Sequence, residues 1–292
     1  MVPIPDTSDT PHAGSVTDLA REVLRSGGLT VLDLTPLGDA ENVTFRVDTP
    51  NGVLLLRLKP PGRLTSARMV SEFTWLRALR RDTPLRVPAP RPFPDGRLVR
   101  SFQGPPRAAG TTWLAALLDW VEGDVLGGTP TSDDTRAVGR FAAALHEHAL
   151  CFTLPEEFTR PHLGDEAAFR AWPPDLLDGT HLTRVERRAI TLARRAARTA
   201  LAAAQRGEVR SHLLHIDLHP GNVVRSAGGI GGIDFDDCQF GPALYDLAAM
   251  LAHLGVGDGD GALRAAFLAG YEEIRPLWPR ERELLGAFVR LR

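Results

Sequence analysis

The residues best suited to chemistry lie in two short motifs in the last third of the chain. The first reads His-Ile-Asp-Leu-His-Pro-Gly-Asn over residues 215–222, and the second reads Ile-Asp-Phe-Asp over residues 233–236. Phosphoryl transfer from ATP needs one carboxylate to accept the proton of the attacking hydroxyl, here Asp217. It also needs hard oxygen ligands that hold Mg²⁺ on the phosphates, and an amide with one carboxylate, Asn222 and Asp234, is sufficient. The motifs predict a kinase-type active site.

The segment between the motifs has the pattern of a short hairpin. Apolar residues at 223–224 are followed by a glycine-rich turn at 228–232, and the apolar pattern resumes at Ile233. We interpret this as a loop that leads into a hairpin whose second strand ends at Asp234. Such a hairpin returns Asp234 to the side of Asn222, so that both side chains reach one metal ion.

Two other interpretations of the first motif remain open. Four potential zinc ligands fall within eight residues, which makes a zinc hydrolase one alternative: His212, His215, Asp217 and His219. A hydrolytic zinc site would need further ligands elsewhere and gives no role to Asn222 or Asp234. The second alternative is a nucleotide-binding pseudokinase, which the presence of every acidic and amide ligand disfavours but which Arg57, discussed below, keeps open.

Together with a third motif, Gly-Pro-Ala-Leu-Tyr-Asp-Leu-Ala at residues 241–248, these sequences resemble the aminoglycoside phosphotransferase family. The three motifs occur in the family's order and at its separations, and the resemblance extends upstream through most of the chain. It implies an α+β, two-lobed protein-kinase-like fold, with a small antiparallel β-sheet lobe carrying one main helix and a larger, mostly helical lobe. It also implies that Asp246 braces the catalytic loop from below and that His215 supports the loop backbone.

The resemblance implies an ATP- and Mg²⁺-dependent transfer of the γ-phosphate to a hydroxyl group. The family's acceptors are small molecules such as aminoglycosides, amino alcohols and homoserine-like compounds. It also includes bacterial stress-response protein kinases with similar motifs, so a Ser/Thr protein kinase is the alternative. The residues alone do not distinguish these acceptors.

Composition agrees with a two-lobed cytoplasmic enzyme. The chain has 292 residues, longer than one typical domain, and a formal net charge of −2, which argues against nucleic acid or an anionic membrane as a partner. Cys151 and Cys238 are too few for a disulfide framework and fit a reducing cytoplasm. No apolar run approaches the length of a bilayer span, and the N-terminus lacks the pattern of a signal peptide.

Hydrophobic periodicity predicts three regions: a mobile tail at 1–13, a nucleotide-binding lobe at 14–121 and a catalytic and acceptor-binding lobe at 122–292. In the nucleotide-binding lobe we expect helices at 16–24 and 66–79, strands at 29–34, 43–47, 53–58, 98–102 and 115–121, a connector at 84–94 and a hinge at 122–123. In the catalytic lobe we expect helices at 135–150 (capped by residues 132–134), 183–205, 244–254, 263–271 and from Glu281 past Arg292.

A basic residue on the third strand is expected to contact the phosphates and to pair with Glu72 on the following helix. Arg57 and Lys59 are two apart and share one face of the strand. The side chain two residues earlier on that face is expected to be apolar and to lie against the adenine, and Leu55 meets this condition for Arg57. We therefore expect Arg57 to be the anchor, although the family more often has Lys here and Arg is not an equivalent substitute. The alternative is an exposed Arg at a strand end and a solvated Glu on a helix.

The remaining nucleotide contacts are expected in two loops. Gly38 and Asn42 bound a short loop between the first two strands, where backbone amides at 40–42 would cradle phosphate oxygens; an ordinary hairpin turn is the alternative. The adenine is also expected to contact the hinge near Trp120 and Val121.

Several other charged and histidine residues are assigned no catalytic role. We expect His146 and His148 to be packed or solvent-facing, since nothing nearby completes a metal site, and the arginines of helix 183–205 to form a solvated face rather than bind nucleic acid. Eight acidic residues are available to an acceptor site, but no spacing shows that they converge: Asp124, Asp133, Asp134, Glu156, Glu157, Asp165, Glu166 and Asp178.

Overall fold

The chain folds as two units in its computed structural model, which describes residues 15–38, 42–62, 65–104, 110–127, 130–163, 183–254 and 261–290. The first unit holds the described residues up to Phe73 together with Ala89–Trp120, and the second holds Thr74–Pro88 and the described residues from Val121 onward. Four predicted features lie outside the described ranges: the N-terminal tail, residues 39–41 of the phosphate loop, the acidic residues Asp165, Glu166 and Asp178, and the chain end after residue 290.

The first unit is built on an antiparallel sheet with strand order β1-β2-β3-β6-β4, in which β5 also pairs with β6. Its elements are α1 (Val16–Ser26), β1 (Asp33–Gly38), β2 (Val43–Thr49), β3 (Gly52–Lys59), the beginning of α2 (Ser66–Asp82), β4 (Pro90–Arg91), β5 (Arg100–Gln103) and β6 (Thr112–Asp119). The central strand β3 therefore has β2 on one side and β6 on the other, which fixes the side chains that it presents.

The core of this unit forms because alternate residues of the strands face α1. Phe45 of β2 lies opposite Leu56 of β3, and both are fully buried in one hydrophobic cluster with Leu19 and Val23 of α1. The helix begins with a capping box, in which the Ser15 side chain accepts a hydrogen bond from the Asp18 backbone and the Asp18 carboxylate accepts one from the Ser15 backbone. Burial of the apolar face of α1, rather than its helical propensity, therefore holds the helix on the sheet.

The first strand was predicted at residues 29–34, and this position is wrong, because β1 spans Asp33–Gly38. Leu29, Val31 and Leu34 do pack against the core, but the backbone at Leu29 still closes the end of α1, with its amide bonded to the Leu24 carbonyl at 3.0 Å. A buried apolar run in a helix-to-strand connection has the same sequence signature as a strand, and only the sheet pairing separates the two.

The other strand boundaries of the first unit differ from the prediction by a few residues. β6 begins at Thr112 and ends at Asp119, so Trp120 and Val121 follow the sheet instead of closing it, and β5 begins two residues later than expected. The predicted connector contains the two-residue strand β4, whose Pro90 lies opposite Leu118. Strand ends are the least reliable part of a pattern-based prediction, because sheet pairing rather than local sequence determines them.

The second unit is mostly helical and carries two small antiparallel sheets, β10-β9-β7 and β11-β8. Its elements after the end of α2 are β7 (Asp124–Val125), α3 (Ser132–Cys151), α4 (Arg184–Gln205), β8 (Ser211–Leu214), a 3₁₀ turn (Pro220–Asn222), β9 (Val223–Ser226), β10 (Gly229–Gly232), β11 (Gln239–Pro242), α5 (Leu244–Leu254), α6 (Ala262–Glu272) and α7 (Pro279–Val289). An antiparallel sheet unit and a helical unit confirm the predicted α+β class. Within the described ranges, no helix combines the length and the apolarity that crossing a bilayer would need.

Two glycines let α3 and α6 approach at backbone distance. A Cβ atom added to Gly139 would lie 2.1 Å from the Phe267 carbonyl oxygen, and one added to Gly270 would lie 1.9 Å from the Arg136 carbonyl oxygen. No side chain fits at either position without moving one of the helices. This contact places the α3 histidine His146 beneath the first motif.

We expect Gly270→Ala to lower the free energy of unfolding by about 2 kcal/mol or more, because the added methyl group must separate two packed helices. The matched control is Gly286→Ala, a helical and exposed glycine whose added Cβ would have only the tip of Arg290 nearby, at 3.7 Å. That control should instead stabilise by about 0.5–1 kcal/mol, since alanine costs less backbone entropy than glycine in a helix. Urea unfolding measures both. Equal effects of the two substitutions would contradict the close helix contact.

Candidate active site

The first motif forms a loop between β8 and the 3₁₀ turn, and Asn222 closes this loop onto Asp217. The Asn222 side-chain amide donates to the Asp217 carbonyl oxygen at 2.9 Å and to the Asp217 carboxylate Oδ2 at 3.0 Å. The Asp217 side chain remains 35% exposed, so a substrate hydroxyl can reach it. Because the Asn222 nitrogen faces Asp217, the amide oxygen Oδ1 is the Asn222 atom suited to a cation.

The second motif is joined to the first through the backbone. The Ile233 amide donates to the Asn222 carbonyl oxygen at 2.9 Å. Asp234 is the next residue of the chain, so the β9-β10 hairpin returns it to the neighbourhood of Asn222. The second strand of this hairpin was predicted to end at Asp234, which is wrong, because β10 ends at Gly232. The backbone must leave the strand there, since Asp234 adopts a left-handed conformation with φ of 63°.

Strained backbone occurs in both motifs. Ile216 has φ of 77° and Asp234 has φ of 63°, and they are the non-glycine residues with positive φ in the described chain. Such a conformation costs about 1–3 kcal/mol and persists only where surrounding contacts enforce it. One of these residues immediately precedes Asp217 and the other is the predicted metal ligand, so strain coincides with the predicted chemistry.

The buried carboxylate of Asp246 enforces the first of these conformations. Its Oδ1 accepts a hydrogen bond from the Ile216 amide at 2.6 Å, and its Oδ2 accepts one from the His215 amide at 2.9 Å. Asp246 itself is fully buried near the start of α5. This arrangement is the bracing of the loop that the third motif implied.

His215 connects the two motifs. Its ring nitrogen Nε2 lies 2.9 Å from the Ile233 carbonyl oxygen, and because a carbonyl can only accept, Nε2 carries the proton and donates. The ring packs against Phe235 with centroids 4.4 Å apart, and Phe235 in turn contacts Trp75 of α2 edge-on at 5.6 Å. His215 therefore supports the backbone of both motifs.

A buried histidine network lies beneath the loop. His146 of α3 places Nε2 3.1 Å from the Asp246 carboxylate and Nδ1 2.9 Å from the Tyr271 hydroxyl, so it is packed, as one of the two expectations had it. Burial lowers the pKa of His146 and raises the pKa of Tyr271, which keeps the imidazole neutral and the phenol protonated. The hydroxyl then donates to Nδ1, and Nε2–H donates to Asp246.

His212 is the second neutral histidine of this network. Its Nδ1 lies 2.9 Å from the Leu213 carbonyl oxygen, and its Nε2 accepts from the guanidinium of buried Arg275 at 2.8 Å. Burial lowers the pKa of His212 to about 2. The side chain therefore stays neutral at physiological pH.

The zinc alternative finds no support in this geometry. His212 and His215 are buried and direct their engaged ring nitrogens at Leu213, Arg275 and Ile233 rather than at one common point. Across the part of the chain that the structure describes, no three His, Cys, Asp or Glu side chains are grouped to hold a metal ion.

In the first unit, Arg57 and Glu72 form a buried ion pair. The Arg57 Nη1 donates to both carboxylate oxygens of Glu72, at 2.8 and 2.9 Å, and the side chains are 1% and 0% exposed. The alternative of an exposed Arg and a solvated Glu is therefore wrong. Leu55 lies on β3 opposite Leu118 and is half-buried.

The other predicted nucleotide-binding residues are placed as follows. Gly38 is the last residue of β1 and pairs with Thr44, and Asn42 is half-buried just before β2. Trp120 follows β6, where its amide is bonded to the Val53 carbonyl oxygen at 3.4 Å and the Arg46 guanidinium lies 5.2 Å from its ring. Val121 is half-buried at the start of the second unit's main segment.

Two arginines hold the second motif and its hairpin, and neither was predicted from the sequence. Buried Arg160 donates to the carbonyl oxygens of Asp236 and Cys238, directly after Asp234. Arg86 donates to the carbonyl oxygens of Gly229, at 2.7 Å, and of Glu122. A single arginine in a chain rich in arginine carries no sequence signal, so only the structure identifies these two residues.

The acidic residues that are available to an acceptor site lie as follows in the described part of the chain. Asp134 caps α3 together with Thr131 and pairs with Arg225 at 2.6 Å, so its carboxylate is engaged elsewhere. The four others in the described ranges are exposed: Asp124, Asp133, Glu156 and Glu157.

Comparison with known proteins agrees with this site. Residues 33–284 match the phosphotransferase enzyme family (APH), and the chain belongs to that family. It is 29% identical to a homoserine kinase of Polaromonas naphthalenivorans over 267 residues, which are 87% of this chain and 76% of the relative. The chain is thus a kinase whose family members phosphorylate hydroxyl groups of small molecules.

Solved structures show the same fold. A microcompartment-associated aminopropanol kinase matches 95% of this chain and 86% of its own length, with a TM-score of 0.77 and 27% identity. An amicoumacin kinase in complex with AMP-PNP, Ca²⁺ and Ami matches 95% of this chain and 83% of its own length, with a TM-score of 0.71 and 20% identity. The protein-kinase-like fold that the motifs implied is confirmed.

We expect the pH dependence of stability to reveal the neutral state of His212. Below pH 6.5 the unfolded chain binds a proton at this histidine, whereas the folded protein, with a pKa of about 2, does not. The free energy of unfolding therefore falls as the pH falls below 6.5. Between pH 7 and 5.5 the wild type should lose about 1 kcal/mol more than His212→Gln does. Urea unfolding at both pH values measures this difference, and equal pH dependence would mean that His212 is protonated in the folded protein.

Proposed function

We propose that this protein transfers the γ-phosphate of Mg-ATP to the hydroxyl group of a small amino alcohol. The observation that carries the proposal is the hydrogen-bonded unit of Asp217, Asn222 and Ile233. It joins the predicted base, Asp217, to one predicted metal ligand, Asn222, and to the residue that precedes the other predicted metal ligand, Asp234. The acceptor class is supported by two relatives whose names specify homoserine and aminopropanol, both small hydroxyl compounds with an amino group.

The residues fit a divalent metal ion. Asn222 offers an amide oxygen while its nitrogen is engaged with Asp217, and Asp234 offers a carboxylate, so the set consists of hard oxygen donors of the kind that Mg²⁺ prefers. We assign these two residues as the metal ligands. When bound, Mg²⁺ would neutralise charge on the transferring phosphate.

Asp217 carries the proton transfer in this proposal. Its carboxylate orients the acceptor hydroxyl and takes up the hydroxyl proton while the hydroxyl oxygen bonds to the γ-phosphorus and the bond from phosphorus to the ADP oxygen breaks. The two hydrogen bonds from Asn222 fix the carboxylate before the acceptor arrives, and His215 keeps the two motifs in register. Positioning of this kind is the main source of rate in phosphoryl transfer.

Nucleotide binding is assigned mainly to the first unit. Arg57, held by Glu72, would steady the phosphates, and Gly38 and Asn42 would bound the loop whose amides contact them. The adenine would lie against Leu55 and Trp120 of this unit. This assignment rests on the Arg57–Glu72 pair, because burial of both charges is costly unless they serve a specific geometry.

The small-molecule acceptor is favoured over the protein-kinase alternative by the relatives. The homoserine kinase and the aminopropanol kinase are each named for a small acceptor. A panel of L-homoserine, 1-amino-2-propanol, kanamycin and a cell protein extract separates these acceptor classes when transfer of labelled γ-phosphate is followed in acid-soluble and acid-precipitated fractions.

We expect Asp217→Asn to lower the turnover number roughly 10²–10⁴-fold, because an amide cannot take up the proton, while the ATP dissociation constant stays within about twofold. Labelled phosphate transfer measures the turnover, and calorimetry measures ATP binding. Asp33→Asn, which alters an exposed carboxylate on β1, serves as the control. Near wild-type turnover of Asp217→Asn would rule out Asp217 as the base.

We expect Asp234→Asn to abolish the effect of Mg²⁺ on nucleotide binding, because the variant loses the charged metal ligand. Titration of ATP by calorimetry, with Mg²⁺ and with EDTA, gives the two dissociation constants whose ratio should fall to about one. If the variant still binds ATP more tightly with Mg²⁺ than without it, the metal ligand is another residue.

A further inference from the structure

His219 of the first motif is held in place by its own loop. Its ring nitrogen Nδ1 accepts a hydrogen bond from the Gly221 amide at 3.0 Å, which caps the 3₁₀ turn. Because an amide N–H can only donate, Nδ1 carries no proton, and in the neutral ring the proton is on Nε2. That nitrogen lies 3.3 Å from the Asp217 carboxylate Oδ2. The loop therefore presents an N–H group to the catalytic carboxylate.

The Asp217 oxygen that faces His219 also accepts from Asn222. The Asn222 side-chain nitrogen donates to Oδ2 at 3.0 Å, and Nε2 of His219 lies 3.3 Å from the same oxygen. The hydrogen bond from Asn222 and the neighbouring Nε2–H restrict the rotation of the carboxyl group and disfavour protonation of Oδ2. Proton uptake from an acceptor hydroxyl is thereby directed to Oδ1.

Gly221 is required for this placement of the ring. A Cβ atom at position 221 would lie 2.6 Å from Cε1 of His219 and 3.0 Å from its Nδ1. The ring therefore packs directly against the backbone of the 3₁₀ turn, at a distance that only glycine permits.

A second histidine covers the ring of His219. His253 of α5 stacks on it with centroids 4.7 Å apart and an interplanar angle of 17°. His253 is itself oriented by a hydrogen bond from Nδ1 to the Ala249 carbonyl oxygen at 2.8 Å. Since α5 also carries Asp246, one helix holds the loop backbone at Ile216 and the ring at His219.

We propose that His219 and His253 are positioning residues for the catalytic base: the stack on His253 holds the His219 ring so that its Nε2–H orients the Asp217 carboxylate. The proposal rests on the proposed function, because it assigns roles around the same base. It also gives a reason for an exposed histidine on α5. The contacts that the structure shows for His253 include the hydrogen bond to the Ala249 carbonyl oxygen and this stack.

The test compares turnover numbers and Michaelis constants at pH 8, where histidine side chains are largely neutral. We expect His253→Ala to lower the turnover number roughly 5–20-fold, because the ring of His219 loses its cover, while the Michaelis constant for ATP changes less than about twofold. His253→Phe keeps an aromatic face and should recover most of the turnover. His219→Asn keeps a cap for the turn but removes the group facing Asp217, and should lower the turnover about 10–100-fold.

His162→Ala is the matched control. His162 is an exposed histidine that stacks on Phe240 with the same centroid distance, 4.7 Å, and a similar angle, 19°. Loss of this stack should change the turnover less than about twofold, since loss of a stacked ring alone is not expected to alter catalysis.

Kinetic outcomes distinguish the inference from the proposed function. If the wild type phosphorylates an acceptor but His253→Ala and His219→Asn turn over like the wild type, the inference is wrong and the proposed function stands. Equal impairment of His253→Phe and His253→Ala also overturns the role of the stack. If the wild type phosphorylates no acceptor of the panel, the proposed function fails.

Nuclear magnetic resonance of the histidine rings tests the arrangement without any acceptor. In ¹⁵N-labelled protein at pH 8, the ring nitrogens of His219 should show the tautomer protonated at Nε2, and Asp217→Asn and His253→Ala should each shift the Nε2 signal. A His219 ring protonated at Nδ1, or signals unaffected by both substitutions, overturns the inference.

Discussion

The loop that carries Asp217 depends on one buried carboxylate, that of Asp246. Burial of a charge is costly, and here the cost is offset by donors from the amides of His215 and Ile216 and from the ring of His146. Two of these donors come from residues whose backbone must turn sharply before Asp217, one of them with φ of 77°. Without the carboxylate, Ile216 loses the hydrogen bond that offsets its strained conformation, and the position of Asp217 is lost with it.

His146 extends this constraint into the helical core. Its ring accepts a hydrogen bond from the Tyr271 hydroxyl and donates one to Asp246. The position of the Asp246 carboxylate therefore depends on residues of α3 and α6. Those helices approach at Gly139 and Gly270, where no side chain fits between them. The packing of two helices thus determines where the polar network lies, and the network determines the loop.

The second motif is held in part through its own backbone atoms. Ile233 is bonded to Asn222 and to His215, and Arg160 binds the carbonyl oxygens that follow Asp234. In the first unit both side chains of the Arg57–Glu72 pair are buried. A buried ion pair adds little stability compared with apolar residues of the same size. The strained backbone of the second motif and the buried ion pair each lower the stability of the fold but define a geometry. Such costs are typical of sites that position substrates.

Residue order and spacing alone indicated the kinase class and most of the elements. Asp217, Asn222 and Asp234 stand in the order in which a kinase needs residues for proton uptake and metal binding, and α2 to α5 were predicted from the sequence pattern. Residue types could not place β1, because Leu29 and Val31 pack against the core although they precede the strand. Nor could they identify Arg160, Tyr271 or His253. The contacts of Arg160 and Tyr271 join residues 76 or more positions apart, and the stack of His253 on His219 arises only when α5 packs beside the loop. Such contacts depend on tertiary packing, and the residues near each position in the sequence do not specify which distant residue it will contact.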